Sequence, residues 1–307
     1  MLTNLNTSST SLAIFEGLMD VHTPGKMTFA GHSFGAATIT QFVKSTYYSP
    51  RNFEAPAGYE TLFTPSSRSS IVTQITPQTP VILLDIWCLP LRAATTRWLW
   101  NKPFPCYQPG GAGGAALLAV ESQAFYNWRA HLKATKQLLS PNPTSDKHDY
   151  ENGMSEPNFF FATSSAHLSQ SDFGVLFPWV TKKVFSAEEP ERVMKLNVRA
   201  ILQVLRNQDI SISQTCKEDM ELIDAKNEDT NNDQLILGRN GEVRGWNWLS
   251  TDLTVLRDVD GGLADPPTQK EMMEPAEAVV GNELLKRKQG TSERLERDSS
   301  SESARRV

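Results

Sequence analysis

The sequence has few cysteines, no long apolar run and no strongly basic region. Its three cysteines, Cys88, Cys106 and Cys216, form neither a disulfide framework nor a Cys-x-x-Cys zinc pair. The longest apolar run, Val81 to Leu91, contains Asp85 and is shorter than the roughly 18 residues of a membrane-spanning helix. No Lys or Arg precedes an apolar stretch between Met1 and Gly25, so we predict no secretory signal and favour a cytoplasmic location.

Charge is distributed unevenly along the chain. Residues 216–307 contain 20 acidic and 13 basic residues, whereas residues 1–215 contain 15 acidic and 17 basic residues. We therefore interpret residues 1–215 as a folded body and residues 216–307 as a mostly solvated acidic tail, disordered beyond about residue 258. Within the tail, the Asn240-Gly241 pair between apolar stretches predicts a β-hairpin over residues 235–249. Neither part has an arginine-rich face, so no nucleic-acid partner is predicted.

Short apolar segments alternate with helical segments in the body, which predicts an α/β fold with a mostly parallel sheet flanked by helices. We predict strands at residues 27–30, 80–84, 115–120 and 159–162. We predict helices at residues 11–21, 35–48, 125–139 and 191–206. The last of these helices is expected to present one apolar stripe, which consists of Met194, Val198, Ile201 and Leu205. Residues 49–80 are rich in Ser, Thr and Pro and are interpreted as an exposed insertion.

The strongest chemical signal is Gly31-His32-Ser33-Phe34-Gly35, which fits the Gly-x-Ser-x-Gly pattern of a nucleophile elbow. The segment follows a predicted strand and precedes a predicted helix, as an elbow requires. Both glycines are expected to be necessary, because a side chain at either position would collide with the strand or the helix. Ser33 is the candidate nucleophile, and the backbone N–H of Phe34 is expected to stabilise the oxyanion. An ordinary serine in a glycine-bounded turn is the alternative.

A serine nucleophile requires a histidine base, and the chain has five histidines. His167 follows the last predicted strand of the body, where a hydrolase of this fold places its base, so we predict that role for it. His148, in a loop between two aspartates, remains an alternative. His22 comes too early in the chain, and His32 is expected to project away from the serine. His131 is expected on the surface of a helix.

Asp85 is the candidate acid that orients the base. It ends the apolar run of residues 81–84, and the carboxyl ends of buried parallel strands form the edge where such sheets hold their sites. A helix cap or a salt bridge is the alternative role for Asp85. Asp172 lies close in sequence to His167 and is a second choice.

Three segments, in this order, resemble the platelet-activating factor acetylhydrolase family. They are Gly-His-Ser-Phe-Gly followed by Ala-Ala-Thr, Leu-Leu-Asp-Ile-Trp with Pro90-Leu91, and Ala-His-Leu-Ser-Gln-Ser-Asp-Phe. The resemblance covers about residues 13–206 and is greatest to fungal-type members. It implies a calcium-independent phospholipase of the α/β-hydrolase fold, with Ser33 as the nucleophile, Asp85 as the acid and His167 as the base.

The resemblance also implies a reaction, which is removal of a short sn-2 acyl group from an ether phospholipid such as 1-alkyl-2-acetylglycerophosphocholine. The expected partner is therefore a phospholipid, with interfacial lipid contact, and no cofactor or metal is expected. Trp87, Trp98 and Trp100 are candidates to line an acyl pocket or to enter a lipid interface. Packing within the protein is the alternative for these tryptophans.

A complete fold of this type has several strands before the elbow and a loop that supplies the second oxyanion donor. The sequence before Ser33 has room for one helix and the elbow strand, so we expect an N-terminally incomplete domain without that second donor. Beside the phospholipid esterase, two alternatives stay open. One is an inactive fragment that retains the three catalytic residues, and the other is an esterase for another substrate, of the cutinase-like or dienelactone type.

Overall fold

The computed structural model describes residues 23–49, 65–66, 69, 71–94, 96–145, 155–185, 188–221 and 229–253. In these ranges five strands form one sheet in the order β1-β2-β3-β4-β5. The strands are β1 (Phe29–His32), β2 (Val81–Leu84), β3 (Leu117–Ser122), β4 (Asn158–Ala162) and β5 (Trp246–Trp248). The first four strands pair in parallel, and β5 pairs antiparallel with β4. The mostly parallel sheet of the prediction is confirmed.

Nine α-helices connect or flank these strands in the described ranges. They are α1 (Phe34–Tyr47), α2 (Ile71–Gln74), α3 (Arg97–Trp100), α4 (Gln123–Asn127), α5 (Arg129–Leu139), α6 (Phe173–Leu176), α7 (Pro178–Phe185), α8 (Pro190–Asn207) and α9 (Lys217–Glu221). Five short 3-10 helices lie at Leu89–Arg92, Pro105–Tyr107, Gly113–Ala116, His167–Gln170 and Gln234–Leu237. None of the helices described is long and apolar enough to cross a membrane.

The core lies on both faces of the sheet, because successive side chains of a strand point to opposite faces. On one face, Leu83 and Ala119 contact a cluster that includes side chains from α1 and α5. On the other face, Ile82 and Val120 contact a cluster that includes side chains from α8. The apolar runs of residues 81–84 in β2 and 117–120 in β3 follow from this double coverage.

The stripe predicted for the helix at residues 191–206 is wrong. The residues of α8 that are buried against the sheet are Val193, Leu196, Ala200 and Val204, whereas Val198 is 47% exposed. Ile201 and Leu205 are only partly buried at the edge of the same cluster. The two stripes are adjacent on the helix, and an apolar pattern in one sequence does not distinguish them when both are rich in apolar residues.

The predicted hairpin over residues 235–249 is also wrong. Its first half forms the 3-10 helix at Gln234–Leu237, and its second half forms β5, which joins the edge of the main sheet beside β4. Trp246 is 2% exposed and stacks on Phe160. Asp233 makes a buried ion pair with Arg199 of α8. Residues 229–253 therefore belong to the folded body, so the predicted boundary at residue 215 lies too early.

Some of the predicted segments fall partly or wholly outside the described residues. These are the helix at residues 11–21, most of the insertion at residues 49–80, and the disorder beyond residue 258. At the end of the insertion, α2 forms one helical turn, and Gln74, Ile75 and Thr79 are buried rather than exposed. Among the described strands, β1 pairs with β2 alone.

Candidate active site

Three strands place the candidate catalytic residues at one edge of the sheet. Ser33 directly follows β1, Asp85 directly follows β2, and His167 begins the 3-10 helix that lies beyond the end of β4. The Ser33 N–H donates to the carbonyl of Leu84 at 2.9 Å, and the Asp85 N–H donates to the carbonyl of Val120 at 2.8 Å. The sheet hydrogen bonds thus continue one residue past each strand. Because parallel strands end at the same edge, the three side chains meet there.

The turn at Ser33 has the strained backbone of a nucleophile elbow. Ser33 has φ 58° and ψ −124°, a conformation that costs an ordinary residue about 1–3 kcal/mol, and it lies immediately before α1. A Cβ on Gly31 would lie 2.5 Å from the carbonyl oxygen of Gly35. A Cβ on Gly35 would meet no atom within 4 Å in the described chain outside its own neighbours and the nearby backbone of α1. The expected steric need for glycine is therefore confirmed at Gly31 and wrong at Gly35.

These two glycines allow a matched test of the elbow. We expect Gly31→Ala to lower the free energy of unfolding by about 1–3 kcal/mol, because the backbone of α1 must move away from the new methyl group. We expect Gly35→Ala to leave stability unchanged or to raise it by up to about 1 kcal/mol, because alanine favours the helix. Urea unfolding of both variants measures the difference. Equal losses of stability would contradict this picture of the turn.

A chain of hydrogen bonds joins the three side chains. His167 Nε2 lies 2.8 Å from Ser33 Oγ, and His167 Nδ1 lies 3.0 Å from Asp85 Oδ2. Asp85 is fully buried, and its other oxygen accepts a hydrogen bond from the Ser122 N–H at 2.5 Å. With Nδ1–H donating to the carboxylate, Nε2 has a lone pair directed at the serine hydroxyl. This arrangement can remove the serine proton and stabilise the imidazolium ion that forms.

The loop that carries Asp85 is also tied to the elbow. Asp85 has φ 41°, in the left-handed region, which turns the chain sharply at the end of β2. Two residues later, the Trp87 N–H donates to the carbonyl of Ser33 at 3.2 Å. The acid and the serine are therefore held at a fixed separation by backbone hydrogen bonds as well as through His167.

The backbone N–H of Phe34 is placed as an oxyanion donor would be. Phe34 is the first residue of α1, and the first N–H groups of a helix have no acceptor within the helix. These groups also carry the positive end of the helix dipole, which favours an oxyanion. A second donor, expected from a loop before the elbow, would fall among residues that the structure does not describe, so its absence stays a prediction.

Sequence reasoning missed the position of His32. Its ring does not lie apart from the site, because it is centred 4.5 Å from the ring of His167. Burial lowers the pKa of His32, and the neighbouring His167 lowers it further. A neutral His32 does not repel a positive charge on His167. Side chains alternate along an extended strand, and this predicts that His32 points away from Ser33. The turn at Ser33 breaks that alternation.

His32, Asp85 and His167 also form a group whose potential metal-ligand atoms lie within 4.8 Å of one another. Both ring nitrogens of His167 and both carboxylate oxygens of Asp85 already take part in hydrogen bonds. A metal ion would have to displace these hydrogen bonds. The chemistry of the donor set therefore favours proton transfer over a resident metal.

The other predicted candidates divide into buried residues, exposed residues and residues outside the description. His131 lies in α5, as predicted, but it is buried, and its Nε2 accepts a hydrogen bond from the Cys88 N–H at 3.1 Å. The surface position expected for His131 is therefore wrong. Asp172 is exposed and precedes α6. His22 and His148 lie outside the described residues.

The candidate substrate-binding tryptophans are placed mostly inside the protein. Trp98 is 4% exposed and lies in a small cluster with Tyr48 and Leu99. Trp100 is 8% exposed and belongs to the main core cluster. Neither side chain is available to a lipid interface, so the alternative of packing within the protein holds for both. Trp87 is half-buried in the loop after Asp85, beside the elbow.

Glu121 is an unexpected carboxyl group behind the site, one residue before Ser122. It is 1% exposed. Burial raises the pKa of Glu121 to about 8, and the negative charge of Asp85 adds to this. The nearby Thr135 and Lys136 offset only part of the effect. Glu121 is therefore mainly protonated at neutral pH.

Stability should consequently depend on the ionisation of Glu121. The folded state holds this proton up to about pH 8, whereas the unfolded chain loses it near pH 4.5. The contribution of Glu121 is fully present below pH 4.5 and is lost as the pH rises to about 8. We expect Glu121→Gln to exceed the wild type in unfolding free energy at pH 8, by up to about 4 kcal/mol, with no such gain at pH 4.5.

Thermal and urea unfolding between pH 4.5 and pH 8 measure this difference. Glu191→Gln is the matched control, because the Glu191 side chain is 71% exposed. It should change the unfolding free energy by less than about 1 kcal/mol. A Glu121→Gln protein whose stability follows the wild type across this range would contradict a buried, protonated Glu121.

A mostly parallel sheet with a strained serine turn and Ser-His-Asp hydrogen bonds at one edge is the arrangement of the α/β-hydrolase fold. The sequence model of the family described as platelet-activating factor acetylhydrolase, isoform II, matches residues 4–230. The chain belongs to this family, whose members are in general phospholipid ester hydrolases. No curated protein and no solved structure matches the chain significantly.

Proposed function

We propose that this protein is a serine esterase that hydrolyses the sn-2 ester of phospholipids, of the 1-alkyl-2-acetylglycerophosphocholine esterase type. The observation that carries the proposal is the continuous hydrogen-bond chain from Ser33 through His167 to buried Asp85. Membership of the platelet-activating factor acetylhydrolase family supports the phospholipid substrate and the short acyl group.

In the proposed reaction, His167 Nε2 takes the Ser33 hydroxyl proton as Ser33 Oγ attacks the carbonyl carbon of the sn-2 ester. The oxyanion that forms accepts a hydrogen bond from the Phe34 N–H. His167 then gives the proton to the leaving lyso-phospholipid oxygen as the ester C–O bond breaks. In the second step His167 takes a proton from a water molecule as the water oxygen attacks the acyl carbonyl carbon. The bond between Ser33 Oγ and the acyl carbon then breaks, His167 returns the proton to Ser33 Oγ, and the carboxylic acid leaves. The Asp85 carboxylate, hydrogen-bonded to His167 Nδ1, stabilises the imidazolium in both steps.

The substrate is tested by comparing initial rates on three esters: 1-alkyl-2-acetylglycerophosphocholine, the same lipid with a long sn-2 acyl chain, and p-nitrophenyl acetate. Ser33→Ala is the control for background hydrolysis. We expect Ser33-dependent hydrolysis with the acetylated lipid preferred. Turnover of the aromatic ester alone would assign another ester substrate, and no Ser33-dependent turnover by a folded sample would make the chain an inactive member of the family.

We also propose that an apolar surface beside the site meets the lipid. The exposed large apolar side chains include Val175, Leu176, Phe177 and Trp179 of the α6–α7 segment, and Phe34 of the elbow. The α6–α7 segment follows the His167 loop directly along the chain. Aromatic side chains of this kind favour the boundary between water and lipid. This surface takes the role that the sequence suggests for Trp98 and Trp100.

Co-sedimentation with phosphatidylcholine vesicles tests this surface. We expect the double variant Phe177→Ser, Trp179→Ser to bind vesicles at least about tenfold more weakly, because two apolar side chains no longer enter the lipid. Val198→Ser is the control, since Val198 is exposed on α8. Unchanged vesicle binding by the folded double variant would contradict the proposed lipid surface. The double variant and the wild type should hydrolyse dissolved p-nitrophenyl acetate at the same rate.

A further inference from the structure

Phe125 packs face to face against the candidate base. The ring centroids of Phe125 and His167 are 4.7 Å apart, and the ring planes differ by 10°. Phe125 is 6% exposed and lies in α4, the short helix directly after β3. The reaction described above uses the two nitrogens of His167, at the edge of its ring. The face of the ring is where Phe125 makes contact.

The segment that carries Phe125 also holds the other parts of the site. The Ser122 N–H donates to Asp85, and Ser122 Oγ accepts a hydrogen bond from the Phe125 N–H at 3.4 Å. The Gln123 N–H donates to Ser165 Oγ at 3.0 Å, in the loop that leads to His167. The four residues 122–125 therefore contact Asp85, His167 and the loop that leads to His167.

The ring of Phe125 itself contacts two neighbouring rings, of which that of His131 is buried. His131 meets Phe125 edge to face at 5.0 Å, and Trp128 meets it edge to face at 6.0 Å. His131 stacks on Trp128 at 4.7 Å and is anchored by the hydrogen bond from the Cys88 N–H. Burial lowers the pKa of His131 to about 4, so this ring stays neutral and remains an acceptor. Phe125 is thus a rigid surface rather than a mobile side chain.

Two hydrogen bonds alone leave the imidazole free to rock about the line that joins its two nitrogens. A parallel ring at contact distance opposes that motion and keeps Nε2 directed at Ser33 while Nδ1 stays on Asp85. The face of an aromatic ring also attracts the positive charge of an imidazolium ion. Both effects act on the base and leave substrate binding unchanged.

We propose that Phe125 is a positioning residue, which holds the ring of His167 in the plane that bridges Ser33 and Asp85. The proposal rests on the proposed function, since it assumes that His167 is the base. It predicts that Phe125→Leu lowers kcat for p-nitrophenyl acetate by roughly 10- to 100-fold at unchanged KM. Phe125→Tyr retains the ring and should recover most of the lost kcat.

Phe160→Leu is the matched control. Phe160 is fully buried and stacks on Trp246 with centroids 5.1 Å apart and planes 17° apart, so its loss removes a comparable ring stack away from the site. Phe160→Leu should lower the unfolding free energy as Phe125→Leu does, yet keep wild-type kcat in the folded protein. Equal losses of kcat in the two leucine variants, or wild-type kcat in folded Phe125→Leu, would overturn the proposal.

A proton NMR measurement separates failure of this proposal from failure of the proposed function. The proton between His167 Nδ1 and Asp85 should give a downfield signal in the wild type, and that signal should broaden or disappear in Phe125→Leu but persist in Phe160→Leu. This readout needs no turnover. If Ser33→Ala does not reduce hydrolysis, the proposed function fails. If Ser33→Ala abolishes hydrolysis and Phe125→Leu changes neither kcat nor the signal, the positioning role alone fails.

Discussion

Replacement of His167 by alanine is expected to lower kcat for ester hydrolysis by about 10⁵- to 10⁶-fold, the largest effect of any single substitution outside Ser33. Alanine removes both hydrogen bonds of the ring, to Ser33 at 2.8 Å and to Asp85 at 3.0 Å. The serine hydroxyl then has no base to accept its proton, and the leaving alcohol has no acid. Substrate binding does not involve His167 in the proposed reaction, so KM should change little.

Hydrolysis assays with the purified His167→Ala protein measure this effect, and His131→Ala serves as the control histidine. His131 is buried, and its Nε2 accepts a hydrogen bond from the Cys88 N–H. Its replacement should lower stability and should affect kcat far less than His167→Ala. The double variant Ser33→Ala, His167→Ala should be no slower than either single variant, because the two residues act as a unit. Additive losses in the double variant would contradict a shared mechanism.

Replacement of Asp85 by asparagine is expected to lower kcat by about 10⁴-fold. Asp85 accepts two hydrogen bonds, from the Ser122 N–H at 2.5 Å and from His167 at 3.0 Å. Asparagine has one oxygen to accept with, so its amide group would face one of these donors. With the amide toward His167, the ring is forced into the tautomer that has no lone pair for Ser33. The positions of the three side chains are kept, but His167 can no longer accept the proton of Ser33.

Activity and unfolding assays on Asp85→Asn separate the chemical effect from loss of the fold. Asp172→Asn is the matched control, since Asp172 is exposed and lies shortly after His167 in the sequence. We expect wild-type activity from Asp172→Asn. A folded Asp85→Asn protein within about tenfold of wild-type kcat would exclude Asp85 as the orienting acid.

The parts of the site that sequence predicts well are those fixed by the strands. Ser33 and Asp85 each follow a strand directly, and parallel strands end at one edge, so short apolar runs are enough to bring the two residues together. His167 lies further beyond its strand, β4, and its place in the site depends on the hydrogen bond between the Gln123 N–H and the Ser165 hydroxyl. The sequence pattern therefore indicates which segment carries the base. The orientation of His167 depends on the loop between β4 and His167, which the pattern does not predict.

The surroundings of the site are not predictable from local patterns. Phe125 and His32 contact the ring of His167, and His131 contacts Phe125. The three residues lie on separate elements, and such long-range contacts leave no periodic signal in one sequence. The same holds for β5, whose Trp246–Trp248 segment pairs with β4, a strand far earlier in the chain. The Asn240-Gly241 turn predicts a hairpin because local turn chemistry is the only signal that the sequence offers there. The pairing of residues 246–248 with β4, which lies far earlier in the chain, decides the structure of this segment.

The central claim is that Ser33, His167 and Asp85 form a working nucleophile, and reaction with a fluorophosphonate probe tests it most directly. The probe forms a covalent bond to a serine oxygen only when that oxygen is activated, and mass spectrometry of the digested protein locates the adduct. We predict labelling at Ser33 in the wild type, labelling slower by roughly 100-fold or more in His167→Ala, and none in Ser33→Ala. Absence of labelling in a folded wild-type sample, or labelling at another serine, would contradict the claim.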